Sequence, residues 1–311
     1  MFSPDTDYFT LRVPASSANL GPGFDALGLA LEIYLECRFR PAAELSITVS
    51  GRDAECIPAT AENMIWQTAQ AVARDVGEPL PPIELDIRND IPLGKGLGSS
   101  AAALTAGVVI ADALLGLQWR PARILDEAAR IEGHPDNVAA CVLGSIIAAA
   151  IDSAGMTRAI RLELPDRFGL GVVVPDFDLP TVKARAALPD RYSRADAVFN
   201  VQRAALLIAA LATGTTSAFP AALEDRFHQP YRCALVPGLA EILKLRAPGL
   251  LGCALSGAGP SVLVFHERGY EHVCELVRQI FAIHGHEATT VNTRIAMRGY
   301  ELTLCSGERG V

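Results

Sequence analysis

Apolar and polar side chains alternate along several stretches of the chain, and this pattern predicts strands that are buried on one face. Residues 31–39 are the clearest case. The apolar positions there are Leu31, Ile33, Leu35, Cys37 and Phe39. The same reasoning predicts strands at residues 10–14, 45–49, 83–87, 145–152, 159–164, 170–174, 250–255 and 261–265, and after residue 287. Both halves of the chain are therefore expected to contain sheet.

A second pattern, in which apolar residues recur three or four positions apart, predicts helices between these strands. It is clear in residues 65–76, where Gly77 then ends the segment. Residues 99–115 are mostly small or apolar, so we expect a buried helix there, entered from a glycine-rich loop. Further helices are predicted at residues 121–133, 194–212, 221–227, 238–245 and 270–283, with a short one starting at residue 135.

The order of these elements predicts an α+β fold with two domains. The first half mixes strands and helices, and the end of the chain resembles the split βαβ arrangement of a ferredoxin-like sheet. We expect one domain over residues 1–180 and a second over residues 181–311. Because no long linker separates them, the two domains should pack together.

Composition and charge narrow the classes of function. The chain has 311 residues and is 50% hydrophobic, so it can bury a large core. A formal net charge of −8 argues against broad nucleic-acid binding. The 7 cysteines are scattered and form no CxxC pair, so neither a disulfide framework nor a zinc site is expected. The longest apolar run, residues 138–151, is too short to span a bilayer. We therefore expect a soluble, cytoplasmic protein without nucleic-acid or membrane partners.

A glycine-rich segment between a predicted strand and a predicted helix is the strongest candidate for a ligand site. Its residues are Pro92, Leu93, Gly94, Lys95, Gly96, Leu97, Gly98, Ser99, Ser100, Ala101 and Ala102. The glycines let the backbone approach a ligand closely, and the N-terminus of the following helix attracts anions. The order of residues is not that of a Walker A loop. An ordinary glycine-rich turn is the alternative interpretation.

Three further segments are rich in polar residues or glycine. Residues 14–25 follow a predicted strand as a polar loop that could present Asn19 and Asp25 to a ligand. Residues 132–137 are dense in polar groups, but Asp136 or Asn137 could equally cap the next helix. Residues 256–260 join two apolar strands and would alone be interpreted as a hairpin turn.

Together, and in this order, the segments resemble the GHMP kinase superfamily and, within it, the homoserine kinase family. The matching stretches are PASSANLGPGFD at residues 14–25, PLGKGLGSSAA at 92–102, HPDN at 134–137, HQPYR at 228–232 and LSGAGPSVL at 255–263. The resemblance covers almost the whole chain. Lys95 stands where relatives more often carry a small residue, and Ser145 stands where glycine is usual.

The resemblance implies a GHMP kinase fold, with an N-terminal mixed α/β domain and a C-terminal ferredoxin-like domain. It implies that residues 92–102 bind the phosphates of ATP, the co-substrate. It also implies a Mg²⁺ ion held by the Ser100 hydroxyl and by a glutamate from the next helical region. We expect that glutamate to be Glu132, with Glu127 as a competitor.

The same resemblance implies phosphorylation of L-homoserine to O-phospho-L-homoserine in threonine biosynthesis. The residues expected around L-homoserine are Asn19, Asp25, His134, Asn137, Thr181, Arg185 and Arg232. We expect Asn137, Arg185 and Ser100 to act in catalysis, Asp136 to orient its loop, and no side chain to serve as general base. The alternatives are a mevalonate or sugar kinase of the same superfamily and a catalytically silent metabolite sensor. A homodimer is compatible with the sequence, which leaves the oligomeric state open.

Overall fold

The computed structural model describes residues 7–163 and 168–306, in which the chain forms eleven strands and ten helices. The strands are β1 (Asp7–Asn19), β2 (Gly23–Pro41), β3 (Ser46–Gly51), β4 (Ile83–Asn89), β5 (Ile146–Ile151), β6 (Thr157–Arg161), β7 (Gly169–Pro175), β8 (Leu250–Leu255), β9 (Val262–His266), β10 (Ala288–Asn292) and β11 (Glu301–Ser306). The helices are α1 (Met64–Val76), α2 (Ser99–Leu115), α3 (Pro121–Glu132), α4 (Asp136–Leu143), α5 (Thr181–Ala186), α6 (Arg194–Thr213), α7 (Phe219–Ala222), α8 (Gln229–Arg232), α9 (Leu239–Ile242) and α10 (Val273–Ile283).

A large sheet carries the first half of the chain. Its described strands run in the order β11-β1-β2-β4-β3, and a β5–β6 hairpin pairs with the first part of β2. The predicted alternation in β2 is confirmed, because Leu35, Cys37 and Phe39 are buried while Glu36 and Arg38 are more exposed. Helices α2 and α4 pack on β1 and β2, and α1 and α3 pack against α2.

A smaller antiparallel sheet, in the order β10-β7-β9-β8, carries the second half. Its β-α-β-β-α-β chain order confirms the ferredoxin-like prediction. The sheet is buried on both faces. Val172 and Val174 of β7 belong to the same hydrophobic core as the large sheet, whereas Val173 packs in a second core with Val277 of α10. The two sheets therefore share one continuous core.

The chain does not pass from one sheet to the other at residues 180 and 181, where the domain boundary was expected. Strand β7 precedes that position but pairs with β9 and β10, and β11 follows it but pairs with β1 of the large sheet. Periodicity identifies a strand from its own residues, but the partner of a strand is set by contacts far away in the chain.

The predicted polar loop at residues 14–25 is mostly strand, because β1 continues to Asn19 and β2 begins at Gly23. Ser16 and Ser17 are completely buried there, and each side-chain hydroxyl has a hydrogen-bond partner. Polar residues in a strand end are tolerated when their groups are paired. The prediction was wrong because it treated polarity as a sign of solvent exposure.

Several predicted boundaries also differ. The helices expected at residues 221–227 and 238–245 are the single turns α7 and α9, and α5 was not predicted. The predicted strand at residues 159–164 ends at Arg161 as β6, and residue 164 lies outside the described residues. Ser145 has a left-handed φ of 61°, a conformation that glycine adopts without strain.

Among the described residues, one helix is long and apolar enough, by length and composition alone, to cross a membrane. It is α6, with a mean hydropathy of 1.4 over its best 18-residue window, of which 22% is buried. The absence of a membrane partner stays a prediction.

Candidate active site

The glycine-rich segment forms a tight loop between β4 and α2. Gly94, Gly96 and Gly98 have left-handed φ values of 65°, 73° and 70°. Left-handed residues at alternate positions turn backbone N–H groups toward a common concavity, which favours an anion. The first N–H groups of the 17-residue helix α2 follow directly, and no side chain caps them. The loop therefore has the backbone geometry of a phosphate site.

Contacts with other parts of the chain hold this loop in place. A side chain at Gly96 would collide with the carbonyl oxygens of Ser256 and Gly259, and one at Gly98 would collide with Ser16. The Ser16 N–H donates to Leu97 O at 3.0 Å, and the Ser261 N–H donates to Lys95 O at 3.3 Å. The loop thus needs glycine for space as well as for φ.

Hydrogen bonds connect the end of β1 to the glycine-rich loop at residues 92–102, called the phosphate loop below, and to two other segments. Ser16 Oγ donates to Asn137 Oδ1 at 3.0 Å, which fixes the side chain at the start of α4. Asn19 Nδ2 donates to Gly257 O at 2.9 Å, and Asn19 Oδ1 accepts from the Asp25 N–H at 3.0 Å. The amide of Asn19, which is 4% exposed, is thus engaged within the protein.

A cluster of ionisable groups lies at the junction of α3 and α4. His134 Nδ1 lies 2.7 Å from Asp136 Oδ1, which also accepts from the Asn137 N–H at 2.8 Å. Burial raises the pKa of Glu132, and Asp136 adds to this, although His134, Arg185 and a hydrogen bond with Ser100 oppose it. Glu132 and Ser100, far apart in sequence, are therefore neighbours.

Asp25 and Arg185 form a charge pair beside this cluster. Arg185 donates through Nη2 to Asp25 Oδ1 at 2.8 Å and through Nη1 to Oδ2 at 3.2 Å. This two-pronged contact raises the pKa of Arg185. Asp25 has a left-handed φ of 53°, which aspartate tolerates better than most residues. Ligand atoms of Asp25, His134 and Asp136 lie within 4.8 Å of one another, so the pair and the cluster form one site.

Arg232 is more deeply buried than expected for a ligand-binding arginine, at 1% exposure. Its Nε donates to Ala184 O and its Nη1 to Gly257 O, at 3.3 and 3.0 Å. No described residue accepts a hydrogen bond from Nη2. Burial lowers the pKa of Arg232 to about 10, and the nearby charge of Arg185 contributes.

His228 lies behind Arg232 and fixes its position. Arg232 Nη1 lies 2.9 Å from His228 Nδ1, and His228 Nε2 lies 2.7 Å from Gly21 O. Arginine is only a donor, so Nδ1 must accept and Nε2 must carry the hydrogen. This neutral form agrees with the lowered pKa of His228, which results mainly from burial.

The structure also locates the other residues that were predicted from the sequence. Thr181 begins α5 and is exposed. Glu127 is 3% exposed and pairs with both Arg123 and Arg130, so its charge is already compensated. Pro92, Leu97, Ala101 and Ala102 are buried supports of the loop.

Sequence reasoning missed several residues that shape the site. Asp178 Oδ1 contacts Lys95 Nζ at 2.7 Å, and Asp53 Oδ2 accepts from the Leu93 N–H at 3.0 Å. Neither carboxylate belongs to a motif, so no signal pointed to it. Ser16 stood inside a motif, but its role depends on contacts with residues about 80 and 120 positions away.

Comparison with known proteins identifies the family of the chain. The family model described as the GHMP kinases N terminal domain matches residues 63–145, and the GHMP kinases C terminal model matches residues 207–272. A homoserine kinase of Solibacter usitatus is 73% identical over 301 residues, which are 97% of this chain and 99% of that protein. The chain belongs to the homoserine kinase family.

Other members of the homoserine kinase family agree in sequence and structure. The Deinococcus radiodurans homoserine kinase is 48% identical over 261 residues, covering 84% of this chain and 85% of that protein. The crystal structure of homoserine kinase from Cytophaga hutchinsonii superposes with a TM-score of 0.84 at 27% identity. It covers 97% of this chain and 99% of that one. Almost the whole chain therefore adopts the two-domain GHMP kinase fold.

We predict that His134 and His228 titrate on opposite sides of the ordinary histidine pKa of 6.5. Burial lowers the pKa of His134, but the hydrogen bond and charge of Asp136, with Glu132, outweigh it and raise the pKa overall. His134 then stabilises the fold below pH 6.5, and this contribution is lost as the pH rises through its folded pKa. His228, whose pKa is lowered, stabilises the fold above pH 6.5, and this contribution is lost as the pH falls.

The measurement is an NMR titration of ¹³C-labelled histidine in the ligand-free protein, with His134→Gln and His228→Gln variants for assignment. In Asp136→Asn, the pKa of His134 should fall. An unchanged His134 pKa in that variant would contradict the assignment of Asp136 as its partner.

Proposed function

We propose that this chain is an ATP-dependent kinase that transfers the γ-phosphoryl group to the side-chain hydroxyl of L-homoserine. The products are O-phospho-L-homoserine and ADP, and the reaction serves threonine biosynthesis. One observation carries the proposal. An anion-binding loop and a charge pair complementary to an amino acid meet in one site of a chain that belongs to the homoserine kinase family.

The phosphates of ATP would bind to the backbone N–H groups of residues 94–100. The glycines there keep those groups accessible, and the N-terminus of α2 adds a favourable dipole. Because the loop is held by Ser16 and Ser261, its N–H groups need not reorganise when the anion binds. This support makes the loop suited to the charge of the transition state as well as to that of the ground state.

The donor set also fits a Mg²⁺ ion. A hydrogen bond with Ser100 opposes the rise in the pKa of Glu132, although Ser100 Oγ also lies 3.6 Å from Met64 Sδ, and the net rise of that pKa reflects a largely buried carboxylate whose side-chain partner is His134, at 3.8 Å. Ser100 and Glu132 would hold the ion, as oxygen ligands that Mg²⁺ prefers. When bound, Mg²⁺ would supply positive charge that offsets the negative charge of the phosphates.

The Asp25–Arg185 pair is the proposed site for the ammonium and carboxylate of L-homoserine. A zwitterion can replace each partner of the pair with an equivalent charge, so substrate binding need leave neither side chain uncompensated. Arg232 would support the carboxylate through Nη2 and hold α5 through Ala184 O, next to Arg185. Thr181 and His134 would border the same space.

Catalysis in this proposal rests on positioning rather than on a general base. Asp136 is engaged by His134 and by the Asn137 N–H, so it acts on the loop rather than on the substrate hydroxyl. Asn137, fixed by Ser16, would orient that hydroxyl. Phosphoryl transfer has a loose transition state, for which alignment and charge stabilisation supply most of the rate enhancement.

The first test is the reaction itself. Purified protein with Mg²⁺ and ATP should convert L-homoserine to O-phospho-L-homoserine, measured by ³¹P NMR together with ADP release. Mevalonate and galactose are the control acceptors. Faster turnover of either control would overturn the substrate, and no ADP release with any acceptor would favour a silent sensor.

The second test replaces Asp25 with asparagine, which tolerates the left-handed φ of this position. Asp25 and Arg185 are 33% and 38% exposed, but bound substrate would cover the contact of Asp25 with the ammonium, and loss of one partner of a desolvated charge pair costs on the order of 2–5 kcal/mol. The kcat/KM for L-homoserine should therefore fall roughly thirty- to several-thousand-fold, with the KM for ATP nearly unchanged.

The acceptor 4-hydroxybutyrate, which lacks the ammonium, is the matched control for Asp25→Asn. The ratio of kcat/KM for L-homoserine to kcat/KM for 4-hydroxybutyrate should fall, because the variant loses the group that recognises the ammonium. An equal loss on both acceptors would mean that Asp25 serves the loop or the chemistry instead.

The third test separates Glu132 from Glu127 by comparing Glu132→Gln with Glu127→Gln. Glu132→Gln should lower kcat and raise the Mg²⁺ concentration needed for half-maximal rate, while Tm stays near that of the parent protein. Glu127→Gln should lower Tm, because Arg123 and Arg130 lose their shared partner, and it should retain kcat. An inactive Glu127→Gln beside an active Glu132→Gln would reverse the assignment of the metal ligand.

A further inference from the structure

Asp178 lies against the phosphate loop although it belongs to a different part of the chain. It stands in the connection between β7 and α5, where the next residue, Leu179, donates its N–H to Gly94 O at 3.3 Å. A Cβ added to Gly94 would lie 3.3 Å from Cγ of Asp178, so the carboxyl group packs directly on the loop backbone. A carboxylate therefore lies beside the proposed site for the phosphates of ATP.

Lys95 is the partner of this carboxylate. Its Nζ lies 2.7 Å from Asp178 Oδ1, and its side chain is 14% exposed while that of Asp178 is 70% exposed. Lys95 is the one charged side chain in residues 92–102. The single cation of the phosphate loop is thus neutralised by an anion from outside the loop.

Two features favour the exchange of Asp178 for a phosphate group as the partner of Lys95. The carboxylate is mostly in solvent, and ion pairs of this kind are weak, so the pair can separate easily. The incoming triphosphate carries more negative charge than one carboxylate, and the backbone N–H groups of the loop attract it at the same place. Lys95 would then gain a more highly charged partner, and Asp178 would be left beside an anion that repels it.

We propose that Asp178 competes with the nucleotide phosphates for the ammonium group of Lys95. By holding Lys95 in an ion pair, Asp178 lowers the affinity of the loop for ATP. The proposal rests on the proposed function, since it takes residues 92–102 as the ATP phosphate site. Phosphate binding transfers Lys95 from the carboxylate to the nucleotide, and no covalent bond changes. Asp178 acts on nucleotide affinity through Lys95, without contact with the reacting atoms.

The transfer also involves the substrate side of the site. The connection that carries Asp178 continues directly into α5, whose Arg185 pairs with Asp25. Movement of Asp178 away from the loop would loosen the attachment of this segment at Gly94. Residues 178–185 thus join the contact with Lys95 to the Asp25–Arg185 pair along the chain.

The experiment measures the Kd of Mg²⁺-ATP by calorimetry for the unmodified protein, Asp178→Asn and Lys95→Met. Asp178→Asn should bind Mg²⁺-ATP about two- to fivefold more tightly, a change of the size expected for an exposed ion pair. Lys95→Met should bind it more weakly. Unchanged or weaker binding in Asp178→Asn overturns the proposal, whereas absence of ATP binding to the unmodified protein would instead overturn the proposed function.

Asp176→Asn is the matched control, because it removes the same charge from the same connection. Asp176 contacts His286 at 3.1 Å. Its replacement should leave the Kd of Mg²⁺-ATP within twofold of that of the unmodified protein, a limit of about 0.4 kcal/mol. An equal tightening in Asp176→Asn would assign the effect to net charge and overturn a specific role for Asp178.

Two further measurements distinguish phosphate exchange from a change in loop structure. The Kd of adenosine, followed by NMR titration, should be the same in Asp178→Asn and in the unmodified protein, because adenosine has no phosphate. In the Lys95→Met background, Asp178→Asn should give a smaller gain in ATP affinity, because only the repulsion between Asp178 and the phosphates is relieved there. Tighter adenosine binding, or an equal gain in both backgrounds, would contradict the exchange of Lys95 between the two anions.

Discussion

The structure depends on how the irregular backbone around the end of β1 is hydrogen-bonded. Ser16 is completely buried, and its N–H and hydroxyl pair with the phosphate loop and with Asn137. A buried polar group without a partner would cost about 1–3 kcal/mol. The end of β1, the glycine-rich loop, the start of α4 and the turn after β8 satisfy one another through such contacts, and Gly257 O alone accepts from both Asn19 and Arg232. The precision of the site therefore comes from hydrogen-bond satisfaction rather than from the packing of apolar side chains.

Charge balance is the second constraint on the site. Asp25, Glu132 and Asp136 lie together, and the positive charges near them are those of Arg185, Arg232 and a His134 that tends to hold its proton. Each carboxylate has a different degree of compensation. Asp25 has a two-pronged arginine, Asp136 has a histidine and an N–H, and Glu132 has only the more distant His134, whose Nε2 lies 3.8 Å from Glu132 Oε1. The group with least compensation is the one best suited to recruit a cation from solution.

The parts of the fold that could be predicted from sequence are those with local signals. The glycine-rich loop between β4 and α2 was predicted because glycine spacing, a preceding strand and a following helix all lie within adjacent residues. Glu127 and Glu132 could not be distinguished, because they lie five residues apart and only the position of Arg123 and Arg130 shows which is neutralised. The sheet partners of β7 and β11 and the contact of Asp178 with Lys95 depend on residues far apart in the chain. Neither periodicity nor composition encodes such contacts.

The return of β11 to the large sheet has a mechanical consequence. The chain crosses between the sheets twice, once between β6 and β7 and once between β10 and β11, so the ferredoxin-like unit is tethered at both of its ends. A body held at two points has one easy rotation, about the line that joins them, whereas a single tether would permit swinging in every direction. The two tethers, together with the core that the sheets share, hold Asp25 of β2 and Arg185 of α5 in one relative orientation.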